Sequence, residues 1–205
     1  MSLSLDSRVC VSESVPTARI RLHKRLIDVT AGVFAVVLPA SVGHAAPDDG
    51  HPFTSPDGDF VIVFPDEPTD FSDEMPPSPG VDDFTVFATF DDAEQVMYMA
   101  GRVTTSAPGV PTEREIGITA EAFVTGMGGG ELIHESRIEF RGAPGIEVTA
   151  TPDPALLDGS VYLRLFFVGS TGYMAMVMGE RPSISMKDPD VAAFVTSFDF
   201  VKDAF

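Results

Sequence analysis

The chain of 205 residues has a single cysteine, Cys10, and no asparagine. One cysteine cannot form an internal disulfide or a thiolate zinc site, and without asparagine there is no acceptor for N-linked glycosylation. Basic residues are also scarce, with 13 Lys and Arg against 31 Asp and Glu and a formal net charge of -18. A chain this acidic repels the phosphate backbone, so its composition argues against a nucleic-acid partner.

The residues that are present have the balance of a globular protein. Hydrophobic residues make up 44% of the chain and charged residues 21%, which is too apolar for a largely disordered polypeptide. The length suits one domain with a substantial core and is too short for two domains with linkers.

Residues 1–46 have the organisation of a secretory signal peptide. Four basic residues between positions 19 and 25 precede an apolar stretch over 33–42, and small residues follow at 43–46. The apolar stretch is shorter than the roughly 20 residues needed to cross a bilayer. The alternative is a short buried helix, which the order of basic, apolar and small residues disfavours. We expect cleavage after Ala45 or Ala46, with no stable membrane anchor left.

Cleavage at this point changes the chain that remains. It removes Cys10 together with five basic and three acidic residues, so the mature protein is cysteine-free and even more acidic in proportion. The sequence thus predicts a soluble protein exported to the periplasm or beyond the cell. Residues 47–55 are predicted to be a flexible lead-in, and 56–205 a single globular domain.

The pattern of the mature region predicts an α+β fold, with an antiparallel sheet of about six to seven strands flanked by helices. A helix is predicted over 112–127, where Thr112 and Glu115 have the spacing of a capping box, and a second begins at Pro189. The segment 65–83 is rich in proline and acids and is predicted to be a solvated loop. The predicted strands are 60–64, 84–90, 96–103, 132–140, 145–150, 161–168 and 173–178.

Several short motifs give the chain a resemblance to a known class. They are FTSPDGDF at 53–60, FPDEP at 64–68, GAPGIE at 142–147, RLFFVG at 164–169 and FVTSF at 194–198. With these motifs the chain resembles small exported bacterial proteins of the PsbP-like class, named after an extrinsic photosystem subunit. The resemblance covers most of 53–200 and implies an α/β/α sandwich that serves as an extrinsic binding or assembly module. It assigns no functional residue.

No catalytic motif is present. His51 and His134 are the histidines left after cleavage, and neither belongs to a zinc-binding pattern. Ser170 lies between glycines but lacks the Gly-x-Ser-x-Gly pattern and is predicted to be at a hairpin tip. The glycines at 126–130 follow a helix, whereas phosphate-binding loops precede one. We therefore predict a non-catalytic protein without a cofactor, and an unrecognised hydrolase is the less favoured alternative.

One charged pair stands out as a candidate ligand-binding site. Arg164 and Glu147 each lie in the middle of an otherwise apolar predicted strand. If the two strands are neighbours, the side chains form a cross-strand ion pair. That pair is either purely structural or the anchor for a carboxylate or polar head group of a ligand. The partner is expected to be an unidentified protein or small ligand of the cell envelope.

Two metal-binding alternatives remain open. Methionines alternate along two predicted strands, which places them on one face of each strand. They are Met97 and Met99 on one strand, and Met174, Met176 and Met178 on the other. Thioethers bind Cu(I), but methionine also fills gaps in apolar cores, and core packing is the favoured interpretation. The acids of 65–83 could bind calcium, although their spacing fits no known calcium loop.

Overall fold

The computed structural model describes residues 50–74, 81–106, 109–126, 130–155 and 157–201. The predicted signal peptide and the first part of the predicted lead-in lie outside these ranges. The strands are β1 (His51–Thr54), β2 (Phe60–Phe64), β3 (Thr69–Asp70), β4 (Val81–Asp91), β5 (Val96–Thr105), β6 (Glu131–Phe140), β7 (Ala143–Thr151), β8 (Ser160–Val168), β9 (Thr171–Gly179) and β10 (Asp199–Phe200). The helices are α1 (Glu113–Gly126) and α2 (Pro189–Ser197).

Seven strands form one antiparallel sheet in the order β3-β4-β5-β9-β8-β7-β6. Three hairpins, β4–β5, β6–β7 and β8–β9, account for most of it, because strands joined by a short turn pair with each other. The β6–β7 turn has Arg141 at a φ of 51° and Gly142 at 83°. Two successive positive φ angles are the requirement of a type I′ turn. The predicted α+β class is confirmed.

The large sheet is apolar on both faces, and each face has its own core. On the first face, alternate residues of β5, β8 and β9 pack with aromatic residues of β2, α2 and β10. On the second face, the residues in between pack with Ile116 and Val124 of α1. We call these the α2 face and the α1 face. The strands between them are therefore apolar at nearly every position, as expected for a sheet covered on both sides.

A second, three-stranded sheet lies over the α2 face, in the order β1-β2-β10. The prediction of a flexible lead-in over 47–55 was wrong for 51–54, since these residues form β1 and pair with β2. The physical reason is Phe53, whose ring packs 4.6 Å from that of Phe87 and 5.6 Å from that of Phe64. Burying an aromatic ring there outweighs the turn-forming composition of the segment.

The acidic segment 65–83 is also more structured than predicted. It contains the two-residue edge strand β3 and a short 3-10 helix at Ser72–Glu74, and β4 begins already at Val81. Residues 75–80 lie outside the described ranges. Asp70 accepts hydrogen bonds from the backbone and hydroxyl of Ser72. Such local bonds between side chain and backbone stabilise turns in a segment too acidic and proline-rich for longer elements.

Both helices begin where the sequence predicted. The backbone N–H of Thr112 donates to the Glu115 carboxylate at 2.7 Å, and the Glu115 N–H donates to the Thr112 hydroxyl at 3.4 Å, which is the predicted capping box. α2 starts at Pro189 and buries Val191, Phe194 and Val195. Within the described part of the chain, neither helix is long and apolar enough to cross a membrane.

Candidate functional site

The pair Arg164 and Glu147 lies at the centre of the inner strands β8 and β7. The two residues are directly opposite each other in the sheet. Arg164 donates from Nη2 and Nε to the same carboxylate oxygen, Glu147 Oε2, at 2.8 and 2.9 Å. The predicted cross-strand ion pair is therefore confirmed. Both side chains point to the α2 face. There, 19% of the Glu147 side chain and 24% of the Arg164 side chain is exposed.

Tyr162 completes this group and connects it to the core. Its hydroxyl accepts a hydrogen bond from Arg164 Nε at 3.0 Å, while its ring is almost fully buried. Burial raises the pKa of Tyr162, and hydrogen bonding with the Glu147 carboxylate raises it further because it stabilises the protonated phenol. The neutral hydroxyl is held between a cation and an anion, so the three side chains are fixed relative to one another.

The residues beside this group are also polar. Ser136 of β6 is paired with Glu147, and Thr149 of β7 is paired with both His134 and Tyr162. Paired residues share a face of the sheet, so all of these side chains lie on the α2 face. Ser136 and Thr149 are partly buried, and His134 is exposed. Together they form a polar surface at the β6 edge, which we call the Arg164 surface.

The raised pKa values of the tyrosines give a first prediction. The chain has three tyrosines, and burial is the largest cause of a raised pKa in each, to about 12 for Tyr98. An unfolded tyrosine loses its proton at about pH 10, whereas a folded one with a raised pKa keeps it to a higher pH. The contribution of the buried tyrosines to the free energy of unfolding should therefore be fully present below the unfolded-state pKa. It should fall as the pH rises further towards the folded-state pKa.

Absorbance at 295 nm and circular dichroism, followed together, test this. We expect phenolate to form only well above pH 10 and along with loss of the fold. Urea midpoints should be lower at pH 11 than at pH 9. Tyrosine ionisation centred near the ordinary value in a chain that stays folded contradicts the prediction.

A second charged group, which the sequence reasoning missed, is centred on Arg102 of β5. Its guanidinium contacts the carboxylates of Asp57, Asp59 and Asp83 at 2.7, 2.8 and 2.9 Å. Tyr173 donates a long hydrogen bond of 3.5 Å to Asp59. Asp57 and Asp59 belong to the turn before β2, so Arg102 ties the small sheet to the large one. The sequence shows the two acids of the PDGD turn but nothing that indicates Arg102 as their partner.

The residues weighed for catalysis are not brought together. Ser170 occupies the two-residue turn between β8 and β9, and its carbonyl accepts from the Thr105 N–H at 3.0 Å. His134 lies on the edge strand β6, which β7 separates from β8, and it is several residues along the strands from that turn. His51 lies on β1, in the other sheet.

A shallow recess of about 620 Å³ is present at one end of the large sheet. It contains acids but neither His134 nor Ser170. Its lining residues are Gly130, Glu131, Thr151, Pro152, Asp153, Pro154, Leu157, Asp158 and Gly159.

The structure treats the two metal-binding alternatives, the acidic segment and the methionines, differently. No group of three or more His, Cys, Asp or Glu side chains suited to a metal is found within the described ranges, which include 65–74 and 81–83 of the acidic segment. The five methionines, by contrast, are all brought onto one face. Met97, Met99 and Met176 belong to the core of the α1 face, and Met174 and Met178 pack against it.

The fold of the described residues is α+β and PsbP-like. The chain is similar to the solution structure of cyanobacterial PsbP (CyanoP) from Synechocystis sp. PCC 6803, with 12% identity and a TM-score of 0.51. That likeness covers 81% of this chain and 99% of the other. It confirms the fold expected from the sequence motifs.

A crystal structure from Bacteroides thetaiotaomicron VPI-5482 is similar at 11% identity, over 76% of this chain and 50% of that one, with a TM-score of 0.35, too distant to inform the fold. No protein-family model matches the chain, and neither does any curated protein sequence.

Proposed function

We propose that this chain is an exported, non-catalytic binding module that contacts its partner through the Arg164 surface. The signal-peptide pattern of 1–46 supports export, and the PsbP-like fold supports an accessory role by analogy. The observation that carries the proposal is the position of Arg164 and Glu147. A charged pair on inner strands costs desolvation that an apolar pair would avoid, so a role beyond packing is favoured.

The geometry of Arg164 suits a ligand contact. Its Nε and Nη2 atoms bond to Glu147 and Tyr162, and Nη1 has no hydrogen-bond partner within the described ranges. Because the guanidinium is already fixed by its neighbours, little side-chain entropy is lost when a carboxylate or polar group binds to it. Ser136, which is paired with Glu147, and Thr149, which is paired with Tyr162, offer hydroxyl groups that can donate or accept.

The overall charge narrows the class of partner. With a formal net charge of -18, the chain repels nucleic acids and anionic membranes and attracts basic surfaces. We therefore favour a protein of the cell envelope with a basic binding surface, one of whose polar or acidic groups contacts Arg164. Association should weaken as salt is raised, because charge attraction is screened over about 10 Å at 0.1 M salt.

Site-specific cross-linking in the cells that make the protein tests this proposal. A photoreactive amino acid replaces His134, which is exposed on the Arg164 surface, or Glu121, which is exposed on α1. We expect a cross-linked partner from position 134 and none from 121. The recovered chain should be found in the exported fraction and begin at Ala46 or Pro47.

Two arginine variants provide the matched comparison. Arg164→Met removes the proposed contact, whereas Arg181→Met removes an arginine of similar exposure, paired with Glu94 at 2.9 Å. We expect the cross-link at 134 to be lost in the first variant and kept in the second, with both variants folded by circular dichroism. Equal cross-linking in both variants, or a chain retained uncleaved in the cytoplasm, contradicts the proposal.

A further inference from the structure

Four methionines form a two-by-two block on the α1 face of the large sheet. Met97 is directly paired with Met178, and Met99 is directly paired with Met176, across the neighbouring strands β5 and β9. Directly paired residues have Cβ atoms about 4.5–5.5 Å apart, so the thioethers of each pair are within reach of one another. Met174 lies at the corner of the block and is paired with Gly101. Because glycine has no side chain, no side chain at position 101 lies between Met174 and Met99.

The surroundings of the methionine block are apolar. Phe90 and Ala88 flank it on β4, and Val161 and Leu163 flank it on β8. All four block residues are buried or partly buried in the core of this face. Sulfur atoms are therefore the donors available at the centre of the block, and no carboxylate or imidazole of the paired neighbouring rungs competes with them.

We propose that the methionine block binds a soft monovalent cation, Cu(I) or its analogue Ag(I), through its thioether sulfurs. Thioethers are soft neutral donors that select Cu(I) over hard cations such as Mg²⁺ and Ca²⁺. A neutral donor set in an apolar setting cannot offset a divalent charge, so the site favours a monovalent ion. Three rotatable bonds in each methionine allow the sulfurs to converge on one centre.

This site is independent of the Arg164 surface, because the two lie on opposite faces of the sheet. The alternative is packing alone, in which methionine serves as an adaptable apolar residue. Methionine and leucine have similar volumes, and exchanging them in a core usually costs less than about 1.5 kcal/mol. Leucine variants therefore remove the sulfur while keeping the packing, which separates the two accounts.

The binding experiment uses the full chain with Cys10→Ser, because a free thiol would itself bind the metal. Methionine methyl groups are labelled with ¹³C, and silver nitrate is added in chloride-free buffer. We expect one equivalent of Ag(I) to shift the methyl resonances of the block, while that of Met186, which packs on the α2 face, stays unchanged. Calcium and zinc salts should cause no shift.

Two variants complete the test. The double variant Met99→Leu/Met176→Leu should bind Ag(I) at least about tenfold more weakly than the parent. The control Met186→Leu should bind it with the affinity of the parent. Urea unfolding of both verifies that the fold is retained. Absence of methyl shifts at one equivalent overturns the proposal. So does undiminished affinity in the double variant, which leaves packing as the whole role of the block.

Discussion

Phe60→Ala should lower the free energy of unfolding by about 3–5 kcal/mol, the usual loss for a large buried aromatic residue. Phe60 is 0% exposed and lies on β2, between the two sheets. Its ring stacks 5.5 Å from that of Phe198 and meets that of Tyr173 edge-on at 6.3 Å. Alanine leaves a cavity bounded by rings from several elements, and these cannot all move inward to fill it. A loss of this size approaches the whole stability of many domains.

The matched control is Val63→Ala on the same strand. Val63 is 37% exposed, so truncating it should cost less than about 1 kcal/mol. Urea unfolding followed by circular dichroism gives both free energies. Equal losses in the two variants would show that the small sheet is not held by its inner aromatic face. We expect only the Phe60 variant to lose the packing of the small sheet against the large one.

Gly101→Ala should cost about 3 kcal/mol, near the upper end for overpacking. Gly101 lies on β5, where a Cβ atom would meet the Thr85 carbonyl oxygen at 2.2 Å and the Val86 Cα at 2.9 Å. Both atoms belong to the backbone of β4, so they can move only if the pairing of the two strands is disturbed. The added methyl group would also enter the space beside Met174, which pairs with Gly101.

Gly126→Ala is the control for this substitution. Gly126 ends α1, and a Cβ atom there would meet nothing within 4 Å. Alanine is the better helix former, so stability should be unchanged or slightly higher, by up to about 1 kcal/mol. Thermal unfolding of both variants measures the difference. If the two glycine substitutions proved equivalent, the close approach of β4 and β5 at Gly101 would not be real.

Much of the secondary structure could be predicted because its signals are local. The capping box of Thr112 and Glu115 and the helix start at Pro189 need only a few neighbouring residues. The ion pair of Arg164 and Glu147 could be foreseen for a related reason. Two charges in apolar strands have few ways to be satisfied other than by each other.

The elements that were missed depend on distant contacts. β1 and β10 are short and have little strand character of their own, and both pair with β2, which lies far from β10 in sequence. Arg102 likewise reaches Asp57 and Asp59 in a turn more than forty residues earlier. Closing such long loops is opposed by chain entropy, which is offset only when the whole core forms. No local sequence pattern therefore reveals these contacts.

The methionines show which features follow from the sequence pattern and which depend on the tertiary structure. Alternation along a strand determines that Met97 and Met99 share one face, and that Met174, Met176 and Met178 share another, because successive side chains point to opposite sides. The strand order decides whether those faces coincide. β9 is inserted between β5 and β8, and that non-local pairing turns two separate rows of methionine into one block. Composition and periodicity determined the acidic character and the α+β class, whereas strand order and the second sheet required the folded core.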